Sequence, residues 1–143
     1  LVSGGQHCPA HLLKEVRSAD GGEVLALGDS TPLNTIDIKP EYLDAIKKGM
    51  LGYTTGSLAG YFKDCVVTAG AKTGTAQMGG EAENNGVFIC FGPYEDPEIA
   101  VAIVVEKAGA GANITPAAVA ILNAWFSAPE IDTPIQGENQ LVP

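Results

Sequence analysis

The stretch 70-GAKTGTAQ-77 places one lysine and two threonines around a glycine, inside a run from Val66 to Met78 that reads as a β-strand. Glycine weakens a strand interior and marks a place where a ligand or another backbone comes close. Thr73 and Thr75 are two apart, so on a strand their hydroxyls share one face and can reach a single carboxylate. Lys72 adds a fixed positive charge, and Gly74 removes the side chain that would obstruct a substrate laid along the strand. An extended peptide can pair with such an edge by strand addition. The competing reading is a polar strand edge with a glycine bulge, which needs no ligand.

Working outward, the apolar runs Val87–Phe91 and Ile99–Val105 read as two further strands. The polar turns 79-GGEAENN-85 and 93-PYEDPE-98 separate them. Connections this short imply an antiparallel meander, and unbroken apolar runs predict strands covered on both faces. Downstream, the loop 108-AGAGA-112 leads to Thr115-Pro116, which predicts a helix with Thr115 as N-cap and Pro116 at its first position. Ala118, Ile121, Leu122 and Trp125 would line one face of that helix. Almost every other position is apolar too, which predicts a buried helix that ends at Pro129. Upstream, Pro40 and Glu41 open a helix whose residues Leu43, Ile46, Met50 and Tyr53 recur at helical spacing as far as about Thr54. Gly52–Gly60 reads as loose chain. His11–Val16 and Glu23–Leu27, around the turn cluster 18–22, predict a small hairpin, and 29–34 a loop. The fold class is therefore α+β: an antiparallel sheet core of three consecutive strands with a buried C-terminal helix.

Composition narrows the function. The chain has 143 residues, enough for one core, and 17 acidic against 8 basic residues give a net charge of −9. With no lysine or arginine run, nucleic acid and anionic membrane surfaces are poor partners. No apolar run approaches the roughly 18 residues that span a bilayer. The three cysteines, Cys8, Cys65 and Cys90, show no metal-type pairing and read as reduced thiols. His7, Cys8 and His11 offer at most three ligands and read as a surface loop, with no metal implied. Asn113-Ile114-Thr115 matches a glycosylation acceptor, but such short matches are common and Thr115 has a capping role. A phosphate loop is excluded because the glycine positions it requires hold Ala71 and Val66.

Lys72-Thr73-Gly74-Thr75-Ala76-Gln77 resembles the third signature motif of penicillin-binding proteins and serine β-lactamases, and within them the class B, monofunctional peptidoglycan transpeptidases. Val87 to Pro93 is similar to the family's next strand and turn, Ile99–Glu106 to the strand after it, and Ile114–Phe126 to its C-terminal helix. Pro9–Val16 and Tyr42–Met50 also resemble family segments, so the likeness covers about residues 1–127 and leaves 128–143 as a tail.

The resemblance implies a serine D,D-transpeptidase, without cofactor, on the extracytoplasmic face of a bacterial membrane. Its substrate would be the D-Ala-D-Ala end of a peptidoglycan stem peptide, and β-lactams would acylate its serine. Carried over by position, Thr73 and Thr75 would bind the substrate carboxylate, with Gly74 and Gln77 beside them. Lys72 would hold the local field, and the Thr75 N–H would be one oxyanion-hole donor. The chain departs from the family in two ways. None of Ser3, Ser18, Ser30, Ser57 and Ser127 has a lysine three positions on or an asparagine two positions on. Ala71 also stands where relatives often carry glycine. In the family the serine lies N-terminal to this stretch, so the expectation is the C-terminal part of a transpeptidase domain, inactive alone. Such a piece would pair with the rest of that domain or self-associate. The rival readings are a D-Ala-D-Ala carboxypeptidase, β-lactamase or β-lactam sensor, and, in a different class, a non-enzymatic module that binds a peptide carboxylate.

Overall fold

The computed structural model describes residues 1–79 and 83–127. Part of the 79–85 turn and the tail from 128 lie outside the described residues. Contacts divide the described residues into two units, one holding residues 1–5 and 37–127, the other residues 6–36.

The smaller unit has two short antiparallel pairs. β1 (Gln6–His7) pairs with β4 (Asn34–Thr35), and β2 (Glu15–Arg17) with β3 (Val24–Leu27). The hairpin expected from the turn cluster is present, with strands shorter than the apolar runs. Ser18 and Asp20 hydrogen-bond each other, and Glu23 N–H donates to the Ser18 hydroxyl at 2.9 Å, which closes the turn. The Gly22 N–H and the Ser18 hydroxyl hold the Asp20 carboxyl below its ordinary pKa, the hydroxyl bond being the larger cause.

In the larger unit, α1 (Pro40–Thr55) begins with proline in its first turn and Glu41 at its positive end, as the sequence predicts. Its inward stripe is Leu43, Lys47, Met50 and Thr54, whereas Ile46 is 49% exposed. Lys47 takes a half-buried position, with its ammonium over the Tyr94 ring, 5.5 Å from the centroid. The stretch expected to be loose is ordered instead. α1 runs through Gly52 to Thr55, and a single helical turn, α2 (Ala59–Phe62), follows. Thr54 ties the end of α1 to the sheet: its buried hydroxyl lies 2.7 Å from the Ala69 carbonyl and 2.9 Å from that of Leu51.

β5 (Gly70–Ala76), β6 (Asn85–Gly92) and β7 (Ile99–Val105) form the antiparallel meander. Register runs without a shift from Gly70 opposite Phe91 to Ala76 opposite Asn85, so the glycine-bulge reading of Gly74 does not hold. One face of the sheet carries the core of Leu58, Ala69, Ala71, Phe88, Cys90, Ile114, Ala118 and Leu122. The expectation of strands covered on both faces fails for β7. Ile99, Val101 and Ile103 turn toward the core, while Ala100, Ala102 and Val104 are exposed. An unbroken apolar run hides this alternation, because its outward residues are apolar as well.

A 3-10 turn (Gly111–Ile114) runs directly into α3 (Thr115–Ser127). Thr115 is therefore not a side-chain N-cap: fully buried, it donates to the Ala112 carbonyl at 2.7 Å. α3 buries Ala118, Val119 and Leu122 against the sheet, leaving Ile121 40% and Trp125 58% exposed, so burial follows one face only. Asn123, on the same helix, accepts from the Val66 N–H at 2.8 Å and donates to the Asp64 carbonyl at 3.0 Å, fixing the approach to β5.

Candidate functional site

β5 is an edge strand, bonded within its sheet to β6 alone. Alternate backbone N–H and C=O groups of an edge strand have no ladder partner and are open to an added strand. The predicted residues Lys72, Thr73, Gly74 and Thr75 all lie on this strand, and Gln77 is the exposed residue just after its end.

The alternation along β5 divides the work. Ala71 is fully buried opposite Cys90 and holds the strand in the core. Thr73 and Thr75, opposite Phe88 and Gly86, continue along Ala71's face toward the surface, as the spacing predicts. Lys72 is exposed on the other face, where its ammonium donates to the Thr73 carbonyl, and among the described residues it has no carboxylate partner. Gly70 is required by packing: a Cβ there would meet the Phe91 ring at 2.6 Å. Gly74 is not, since a Cβ would find only the Val87 side chain at 3.5 Å, an ordinary contact.

Two groups that the sequence did not single out complete the arrangement. The Tyr53 phenol of α1 lies 2.9 Å from Thr73 Oγ1. The Gly111 N–H of the 3-10 turn donates to Thr75 Oγ1 at 3.4 Å. Gly111 itself is buried so closely on β5 and β6 that a Cβ would fall 2.3 Å from the Gly74 carbonyl and 2.6 Å from that of Val87. Tyr53 was legible only as a helix-face residue and Gly111 only as part of a small-residue loop. That loop composition signals a close approach without naming what is approached.

The site lies on a strand edge. A cavity of about 440 Å³ lined by Thr54, Phe62, Cys65 and Thr68, among others, contains none of its residues. His7 and His11 stand in the smaller unit, His11 Nδ1 2.6 Å from the Leu13 carbonyl and His7 Nδ1 3.5 Å from the Asn34 amide. Among the described residues no three His, Cys, Asp or Glu side chains gather to hold a metal ion, and no helix is long and apolar enough to cross a membrane.

A lysine- and threonine-bearing edge strand in a three-stranded antiparallel sheet, backed by a C-terminal helix, defines a fold of the transpeptidase type. The sequence profile of the penicillin-binding protein transpeptidase domain matches residues 1–125, and the chain belongs to that family. It is 29% identical over 119 residues to penicillin-binding protein 2A of Bacillus subtilis, an alignment covering 73% of this chain and 17% of that protein. It is also 32% identical over 92 residues to the peptidoglycan D,D-transpeptidase MrdA of Escherichia coli, covering 52% of this chain and 14% of the relative. Among solved structures, an imipenem acyl-enzyme complex of penicillin-binding protein A from M. tuberculosis superposes with a TM-score of 0.71 at 22% identity. That superposition covers 87% of this chain and 28% of the other, and it establishes likeness of fold. The chain thus spans less than a fifth of the length of these two curated relatives.

Proposed function

We propose that residues 1–127 form the C-terminal wall of a class B serine D,D-transpeptidase domain, with 128–143 as a tail. In this reading the active serine belongs to a part of the gene product outside this sequence. It attacks the carbonyl of the penultimate D-alanine of a stem peptide, and the C–N bond breaks to release terminal D-alanine. The acyl group then passes to an amine of a neighbouring strand, forming the cross-link. This chain's residues recognise and polarise. Thr73 and Thr75 donate to the terminal carboxylate, and Lys72 stabilises it at short range. The Thr75 N–H faces the developing oxyanion, where such donors act most strongly. Gly74 and Gln77 border the bound peptide.

The observation that carries the proposal is the regular edge strand with Lys72 free of any carboxylate partner among the described residues and an open position at Gly74. The names of the relatives support it: one is a peptidoglycan D,D-transpeptidase and another is seen acylated by a β-lactam. The site's openness supports a second wall from the remainder of the domain, and an extracytoplasmic location on the membrane follows from the substrate.

A fluorescent penicillin tests the reading. The full-length gene product should be labelled covalently, and this chain alone should not; stable labelling of the chain alone refutes the division of labour. With a D-Ala-D-Ala stem peptide and an amine acceptor, a cross-linked product is expected. Hydrolysis alone would assign a carboxypeptidase, and absence of any acylation of the full-length product would leave a carboxylate-binding module.

A further inference from the structure

We infer that Tyr53 is a positioning residue for carboxylate recognition, acting through Thr73 while the Gly111 N–H acts in the same way on Thr75. The inference rests on the reading of these threonines as a carboxylate site and adds what makes them one. A carboxylate only accepts hydrogen bonds, so a threonine helps only when its single O–H hydrogen points outward. A free hydroxyl rotates and can equally present its lone pairs, which repel the anion.

Here both oxygens are engaged from behind. Gly111 N–H can only donate, so Thr75 Oγ1 is the acceptor of that 3.4 Å bond and keeps its hydrogen. Tyr53 and Thr73 stand 2.9 Å apart, and either hydroxyl is able to donate. A phenol O–H is a stronger donor than an aliphatic one, and an aliphatic hydroxyl is the better acceptor. Donation from Tyr53 to Thr73 is therefore the favoured sense, and an anion bound beyond Thr73 reinforces it by polarising the whole chain of hydrogen bonds. Tyr53 is held for this task, since its ring packs against the hydrophobic core from the last two turns of α1. Two elements distant in sequence, α1 and the 3-10 turn, thus set two neighbouring hydroxyls of β5 in the same donor state.

The test uses the full-length gene product and two probes, benzylpenicillin and its methyl ester, which lacks the anion. Wild-type protein should acylate faster with the acid, through a lower half-saturating concentration. Tyr53→Phe keeps the ring and removes the hydroxyl. It should raise the half-saturating concentration for the acid by about three- to tenfold, the factor one neutral hydrogen bond carries, with the limiting rate nearly constant. The loss for the ester should be smaller. Because Tyr53 acts through Thr73, the pair Tyr53→Phe with Thr73→Val should lose no more than Thr73→Val alone, and the double-mutant cycle exposes that coupling. Equal losses for acid and ester, or additive losses in the cycle, overturn the inference while the carboxylate reading stands. A wild-type protein that acylates equally well with the acid and the ester overturns the carboxylate reading, and this inference falls with it.

Discussion

Adding one methyl group at each of two glycines, Gly111 and Gly74, should have opposite consequences, and the contrast isolates packing from binding. At Gly111 the new Cβ would lie 2.3 Å from the Gly74 carbonyl and 2.6 Å from that of Val87. Both obstacles are backbone in adjacent strands, so neither can rotate away. Because real Cβ contacts under 3.0 Å essentially never occur, the 3-10 turn must lift off the sheet by at least about 0.7 Å. Overpacking of this kind costs about 1–3 kcal/mol, and rigid backbone on two sides argues for the upper end. For a domain of this size that is a fall in melting temperature of about 10 °C. The lift also stretches the Gly111 bond to Thr75, already 3.4 Å, beyond hydrogen-bonding range.

At Gly74 the new Cβ meets only Val87, at 3.5 Å, and the backbone is not in the left-handed region. Gly74→Ala should therefore leave melting unchanged or raise it, since a compatible Gly→Ala change gains about 0.4–1 kcal/mol through the unfolded chain. Its penalty should appear in binding, where a methyl group on the peptide's path displaces the acyl donor and lowers penicillin acylation by about 10- to 100-fold. Circular-dichroism melting of this chain and acylation of the full-length product supply the two readouts. A Gly111→Ala protein that melts with the wild type, or a Gly74→Ala protein that loses more stability than Gly111→Ala, would refute the reasoning.

Thr54→Val should cost about 1–3 kcal/mol, because it leaves the Ala69 carbonyl without the 2.7 Å donor at a buried position; urea unfolding checks this. Leu122→Ala, at a side chain with no exposure, should cost about 2–5 kcal/mol by the same measurement. The Cys90 thiol is pushed up to about 11, first by burial and then by the neighbouring Cys65, so exposed Cys8 should alkylate at pH 8 while Cys90 reacts only on unfolding. With the folded pKa raised from 9.0, Cys90's contribution is intact below pH 9 and is lost as pH rises toward 11, visible as a falling melting temperature that Cys90→Ala reduces.

Much of the larger unit was legible because its signals are local. Proline and glutamate fixed the start of α1, two polar turns divided the strands, and Ile99–Val105 matches β7 residue for residue. What escaped depends on neighbours far along the chain. Ile46 and Lys47 exchange places because Tyr94 offers lysine a ring to sit on. Thr115 carries the composition of a cap, but the 3-10 turn before it extends the helical path and turns its hydroxyl back to Ala112. Ile121 and Trp125 satisfy a helical apolar pattern and still face outward, because α3 meets the sheet along Ala118, Val119 and Leu122. The strand that carries Lys72 to Thr75 lies where the sequence predicts it, whereas the groups bonded to its hydroxyls, 20 and 36 positions away, had no signal of their own.

That difference bears on how a polar strand edge becomes a specific site. Lysine and threonine on an edge strand are common and by themselves only keep it soluble. In this chain the hydroxyl oxygens are claimed by the scaffold, and a glycine that packing does not require stands between them. One strand face is anchored by Ala71 in the core, so the threonines farther along the same face cannot drift without moving the sheet. Lys72 is exposed on the opposite face, where its ammonium donates to the Thr73 carbonyl beside the strand. In the proposed reading the recognition surface derives its geometry from α1, the 3-10 turn and the core together, and a transplant of the four motif residues onto another edge strand should carry the charge of this site without its directionality.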